Sequence, residues 1–232
     1  MINSDSNSED FHSSPLPSKL LLEAKNISHS FDYPLFNKIN LALYEKESIA
    51  IIGVSGTGKS TLLNILSSLL KPNLGELLYN NTSIYSLKDK KLLNIRRKDF
   101  GIIFQAHYLF RGFNAQENLE IASLLSGHAL DKNLLEDLDI KHVMKQGVGE
   151  LSGGQQQRLS IARIISKKPR IIFADEPTGN LDKETAKEVM NTVFSYIKNN
   201  NAGLILVTHE EDLAYECDKV FKLINNELKE LK

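Results

Sequence analysis

The segment Glu47 to Gly53 is an apolar run that leads straight into Gly53-Val54-Ser55-Gly56-Thr57-Gly58-Lys59-Ser60, and the residues from Lys59 to Leu70 then carry helical spacing. Nothing else in the 232 residues constrains the fold as tightly. A buried strand, a glycine-rich turn and a helix in direct succession form the first unit of an α/β layer structure. Gly53, Gly56 and Gly58 permit backbone angles closed to other residues, and they bring amide N–H groups close to the oxygens of an anion. The helix that follows points its positive end at the same place. Pro72 is expected to stop that helix after Leu70.

The loop satisfies G-x-x-x-x-G-K-[ST], so it reads as a nucleoside triphosphate site in which Ser55, Thr57 and Thr61 accompany the glycines. Lys59 adds a point charge that reaches the β- and γ-phosphates, and Ser60 offers a hydroxyl to Mg²⁺. The metal also needs a carboxylate at the end of a neighbouring buried strand. Ile171-Ile172-Phe173-Ala174-Asp175-Glu176 supplies one, with four apolar residues to bury the strand and two acids at its tip. Asp175 is expected to hold the metal through its water shell, and Glu176 to polarise the attacking water.

Along the rest of the chain, residues 1–18 are rich in Ser, Asn, Asp and Pro and read as a disordered lead. Leu20 to Leu22, the alternating Ile39, Leu41 and Leu43, Glu76 to Tyr79 and Gly101 to Gln105 read as strands. A basic stretch from Lys88 to Lys98 is helical, and Ala115 to Ser166 is mainly helical with breaks at Gly127 and Gly147. The last third alternates: strand 170–174, helix 182–199, strand 204–208, a short helix, then strand 219–224. Such alternation implies a largely parallel sheet covered on both faces. A formal charge of -1 excludes a global pull towards nucleic acid or anionic membrane. The single cysteine, Cys217, excludes an internal disulfide and reads as a small apolar filler. No apolar run approaches the ~18 residues of a membrane span, so a membrane role requires another chain.

Leu151-Ser152-Gly153-Gly154-Gln155 decides between the many chains that share such a phosphate loop. With it, the sequence from about residue 20 to 228 resembles the ATP-binding cassette family of ATPases. The resemblance implies a P-loop NTPase of the α/β class, with a mostly parallel sheet core over residues 19–232 and a small antiparallel β subdomain. A helical subdomain, about residues 106–166, would carry the pentapeptide. In that family the pentapeptide binds the γ-phosphate of ATP held by a second subunit. Ser152 would give a hydroxyl, Gly153 and Gly154 unobstructed amides, and Gln155 completes the motif. A head-to-tail dimer with two sandwiched ATP-Mg²⁺ follows from the resemblance, and its interface is isologous. By the same resemblance Gln105 contacts Mg²⁺ and the water, His209 touches the γ-phosphate, and Asp182 is the acid of the loop that crosses the interface. The ring that stacks on adenine is Phe31, with Tyr33 as competitor.

The run Phe173 to Asp182 and the pair Glu117-Asn118 are similar to the branch that serves lipoprotein release, macrolide export and cell division in bacteria, with the segment from Ala106 to Phe113 nearest the lipoprotein-releasing ATPases. The resemblance implies an ATP hydrolase peripheral to the cytoplasmic face of the inner membrane, with an integral membrane permease subunit as partner and no nucleic acid. Tyr108, Leu109, Phe110 and Phe113 either seal the join between subdomains or form a docking groove for a helix of that partner. The basic run Lys88, Lys90, Lys91, Arg96, Arg97 and Lys98 is either a solvated helix face or a contact for lipid head groups.

Overall fold

The fold was analysed in a computed structural model that describes residues 18–232; the lead of residues 1–18, apart from Ser18, lies outside the described residues. Two sheets make up the β structure. The first is antiparallel, in the order β2-β1-β4-β5, from β1 (Leu20–Ser30), β2 (Pro34–Tyr44), β4 (Leu74–Tyr79) and the short β5 (Thr82–Ser83). The second has six strands in the order β10-β9-β3-β8-β7-β6. It comprises β3 (Ser48–Ile52), β6 (Phe100–Ile103), β7 (Ile171–Asp175), β8 (Gly203–Val207), β9 (Lys219–Ile224) and β10 (Glu227–Glu230). All its pairings are parallel except that of β10 with β9. The sequence reading missed β5 and β10, which are short and poor in apolar residues.

Alternation along the central strands sorts the core into two layers, because successive side chains leave a strand on opposite faces. Ala50, Ile52, Ile172, Ala174, Leu204 and Leu206 face one cluster. There they meet α3 (Ala115–Ser126), α4 (Lys132–Asp137), α5 (Gly153–Ile165), α6 (Lys183–Asn199) and α7 (Glu211–Ala214). Ile49, Ile51, Ile171, Phe173, Ile205 and Val207 face the other cluster, against α1 (Lys59–Leu66) and the inner face of the antiparallel sheet. Edge-on contacts of Tyr79 with Phe100 and of Phe100 with Phe173, each 5.1 Å between centroids, join the two sheets. Cys217 is a buried member of the first cluster, and burial pushes its thiol up to about 12.

One expected boundary is wrong. Helix α1 ends at Leu66, four residues before Leu70, and Pro72 has no part in stopping it. Ser68 adopts a left-handed conformation at φ 67°, which breaks the helical repeat. Side chains from later elements brace the segment beyond the helix: Tyr85 Oη, with one hydrogen to give, lies 2.7 Å from Leu70 O and 3.0 Å from Ile65 O, and Arg96 donates to the Ser68 carbonyl and, at 3.0 Å, to Ser68 Oγ. Arg96 comes from α2 (Asp89–Lys98), so that part of the basic run is structural, whereas Lys88, Lys90, Lys91, Arg97 and Lys98 remain exposed.

Candidate functional site

In an open parallel sheet, ligands collect beyond the carboxyl ends of the strands. Strands β3, β8, β7 and β6 are neighbours in that order, so residues far apart in sequence emerge side by side. The glycine-rich loop leaves β3, Thr208 and His209 follow β8, Asp175 ends β7 with Glu176 next to it, and Gln105 follows β6. A cleft of about 420 Å³ is lined by Phe31, Tyr33, Leu35, Ser55, Gly56, Gly58, Lys59, Ser60, Thr61, Gln105, Glu176 and His209.

The loop is built for an anion. Gly58, at φ 96°, occupies the N-cap position of α1, and no side chain caps that helix. Four other helices carry a side-chain cap: Asn114 with Glu117 at α3, Asp131 at α4, Ser152 with Gln155 at α5, and Asp182 at α6. Helix α1 is thus left with first-turn amides for an incoming ligand. Gly53 is held by a close approach, since a Cβ there would lie 2.8 Å from Leu223 O. Lys59 is buried, and its Nζ donates to Gly53 O at 2.8 Å and Val54 O at 3.1 Å. The lysine therefore braces the loop carbonyls and must swing from them to meet phosphate.

Opposite the loop, Ser60 Oγ donates to Asp175 Oδ1 at 3.1 Å. Burial raises the Asp175 pKa, and the Ser60 hydrogen bond works against that rise. Glu176 sits at φ 47°, a left-handed conformation that costs a non-glycine residue about 1–2 kcal/mol. Its backbone N–H donates to Val207 O at 2.9 Å, and its Oε2 lies 2.8 Å from His209 Nδ1. That hydrogen bond, and then the charge of Glu176, raise the His209 pKa. The protonated imidazole can donate one N–H to Glu176 and keep the other for a phosphate oxygen.

Gly53, Thr57 and Asp175 stand just behind the lining residues, whereas the residues of the pentapeptide lie elsewhere. Ser152, Gly153, Gly154 and Gln155 are not among the cleft-lining residues. Ser152 Oγ accepts from Gln155 N at 3.2 Å, and Gln155 Oε1 accepts from Ser152 N at 2.9 Å. Asp182 is also outside the lining; it accepts from Glu184 N, Thr185 N and Thr185 Oγ1 at 3.1, 3.0 and 2.7 Å. Those bonds hold its carboxyl below the usual range, led by the bond from the Thr185 backbone. Phe31 and Tyr33 both line the cleft and are equally exposed, at 62%. The sequence reading missed His29, whose ring meets Phe31 edge-on at 4.9 Å; a histidine between Ser28 and Ser30 carries no signal of that contact.

Comparison with known proteins decides what this arrangement belongs to. Residues 36–179 match the ABC transporter family. The chain belongs to that family. It is therefore an ATP-binding cassette ATPase. The cassette is 37% identical over 203 residues to the lipoprotein-releasing system ATP-binding protein LolD of Treponema denticola, covering 85% of this chain and 90% of that protein. It is 41% identical over 216 residues to LolD of Rickettsia felis, covering 88% and 95%. Among solved structures it is similar to the dimeric post-hydrolysis state of the cassette MJ0796 bound to ADP and Pi, with TM-score 0.83 and 30% identity over 91% of this chain and 98% of that one. A second dimeric MJ0796 structure, described as a bacterial ABC transporter cassette, gives TM-score 0.81 and 31% identity over 91% and 99%.

Proposed function

We propose that this cassette is the ATP-hydrolysing subunit of a bacterial inner-membrane ABC transporter. Two copies close head to tail on two ATP molecules and drive a separate membrane subunit, with lipoprotein release as the task. The observation that carries the reading is the division of the site. The cleft gathers the phosphate loop, Gln105, Glu176 and His209, with Asp175 bonded to Ser60 behind it, whereas Ser152 to Gln155 stand outside it at the start of α5. The Ser152–Gln155 capping box occupies the amides of those two residues and leaves the Gly153 and Gly154 amides for an anion held by a second copy. The printed names of the relatives support the cargo, and the dimeric MJ0796 structures support the assembly.

The donors fit Mg²⁺. Ser60 Oγ and Asp175 Oδ1 are hard oxygen ligands 3.1 Å apart, and Gln105 adds an amide oxygen to the same cleft. Among the described residues no group of three or more His, Cys, Asp or Glu forms a metal cage, as suits an ion that takes its remaining ligands from phosphate and water. When bound, Mg²⁺ neutralises charge on the phosphates. Lys59 then leaves Gly53 O for the β- and γ-phosphates, Glu176 accepts the proton of the attacking water, and His209 holds that carboxylate in place.

No described helix is long and apolar enough to cross a membrane; the relatives' names, ATP-binding proteins of a lipoprotein-releasing system, support a separate permease chain with the cassette at its cytoplasmic face. The helical arm of residues 106–166 offers the docking surface. Leu109 packs into the core, but Tyr108, Phe110 and Phe113 stay exposed at 67%, 46% and 43%. Arg163 lies over the Phe110 ring at 5.6 Å. A cluster of rings held outward in this way is suited to an apolar helix of a partner.

The test is Glu176→Gln, purified from detergent-solubilised membranes with ATP-Mg²⁺. We expect ATP binding to survive, hydrolysis to fall by about 10²-fold or more, and a closed dimer to co-purify with a membrane subunit and lipoprotein. A monomeric, fully active variant overturns the mechanism. A division-type membrane partner would move the role to force transmission without transport.

A further inference from the structure

A buried amide joins the signature helix to the loop that carries the catalytic glutamate. Gln157 lies five residues beyond the N-cap Ser152 of α5 and is 1% exposed. Its Nε2 donates to Pro177 O at 2.5 Å, one residue past Glu176. A second contact runs alongside it: a Cβ on Gly154 would lie 3.2 Å from Leu181 Cδ2, so Leu181 rests on the second glycine of the signature. The far side of the loop is tied elsewhere, since Thr178 Oγ1 donates to Glu210 Oε1 at 3.1 Å and Glu210 N donates to Thr208 Oγ1 at 3.0 Å. The loop of residues 176–181 is thus held between α5 and the segment that follows β8.

We propose that Gln157 is a positioning residue. It transmits the setting of the signature helix to Glu176 of the same chain, so that ATP bound through Ser152 to Gly154 fixes the geometry of hydrolysis in that chain's own cleft. The proposal rests on the head-to-tail dimer, in which those two ATP sites differ. Helix α5 moves as a rigid rod, and a short amide–carbonyl bond passes a shift at its N-terminus to Pro177. Glu176 is in a left-handed conformation, where a small rotation of the next peptide re-aims its carboxylate. Only half of the amide is used for bonding: Nε2 makes the one bond to Pro177 O, whereas Gln157 Oε1 is buried without a hydrogen-bond partner among the described residues, a cost that offsets part of what that bond contributes to stability.

The experiment compares the full chain with Gln157→Met and, should Met overpack the site, Gln157→Leu. Steady-state ATP hydrolysis and thermal unfolding are measured on each, and ATP-driven dimerisation is measured with Glu176→Gln added. We expect kcat to fall by about tenfold or more, KM for ATP to stay within about twofold and the unfolding midpoint to drop by only about 2–4 °C, as one lost hydrogen bond predicts. The ATP-driven dimer should still form. An unchanged kcat in both variants overturns the proposal and leaves the ATPase reading intact. A parallel loss of kcat, ATP affinity and stability in both overturns it as well, because a merely structural residue behaves so. If Glu176→Gln alone forms no dimer with ATP, the dimer reading fails and the strut fails with it.

Discussion

Asn118 is wholly buried in α3, and removing its amide tests the docking loop directly. Its Oδ1 accepts from Phe110 N at 2.9 Å, while Nδ2 donates to Phe110 O at 3.2 Å and Asn114 O at 3.0 Å. Two of the three bonds fasten the peptide that presents the Phe110 ring. At about 1 kcal/mol net for each bond, Asn118→Ala should cost about 3 kcal/mol. A chain of this size loses about 2–4 °C of melting temperature per kcal/mol, so the midpoint should drop by about 6–12 °C. Calorimetry or circular dichroism on the purified chain reads that shift. Because Asn118 does not line the nucleotide cleft, ATP affinity should change far less than capture of the membrane subunit. A midpoint lowered by under about 2 °C, with partner capture intact, would show that the loop is held by something other than this amide.

Two further predictions concern the cleft and the signature helix. The His209 pKa is raised from 6.5 by Glu176, so the stabilising contact is complete below about 6.5 and is lost as pH rises through the higher folded value. An imidazole titration followed by NMR should place the His209 midpoint above 6.5 in the wild type and return it towards 6.5 in Glu176→Gln; equal midpoints would remove the pairing. A Cβ on Gly101 would lie 2.5 Å from Ile164 Cγ2 and 2.9 Å from Pro169 Cγ. Gly101→Ala should therefore cost about 1–3 kcal/mol by forcing α5 off β6. Urea unfolding measures this, and a midpoint matching the wild type refutes that packing.

The strand, glycine loop and helix from Glu47 onward, the four apolar residues before Asp175 and the alternation of strands with helices are local patterns, and local patterns can be read along a chain. The phosphate loop, the acids at the end of β7, the signature pentapeptide and the family were legible on that ground. Where α1 stops was not legible, because Tyr85 and Arg96 from a later part of the chain brace the segment around Ser68 and Leu70 that turns away from the helix. Nor did periodicity reveal β5 or β10, whose strand pairing rests on a neighbour rather than on apolar alternation.

What the sequence determined alone was the inventory of chemical groups and the strand or helix that carries each. The tertiary structure decided their neighbourhood. Strand order β3-β8-β7-β6 brings Lys59, His209, Glu176 and Gln105 to one cleft although they span 150 residues, and it leaves Ser152 outside. It also turned Glu117-Asn118 from a family marker into a capping side chain and a loop clamp, and it set Gln157 against Pro177. Hydrogen bonds and charge interactions act over a few ångströms of space, and no spacing along a chain records which distant segments will lie within that reach.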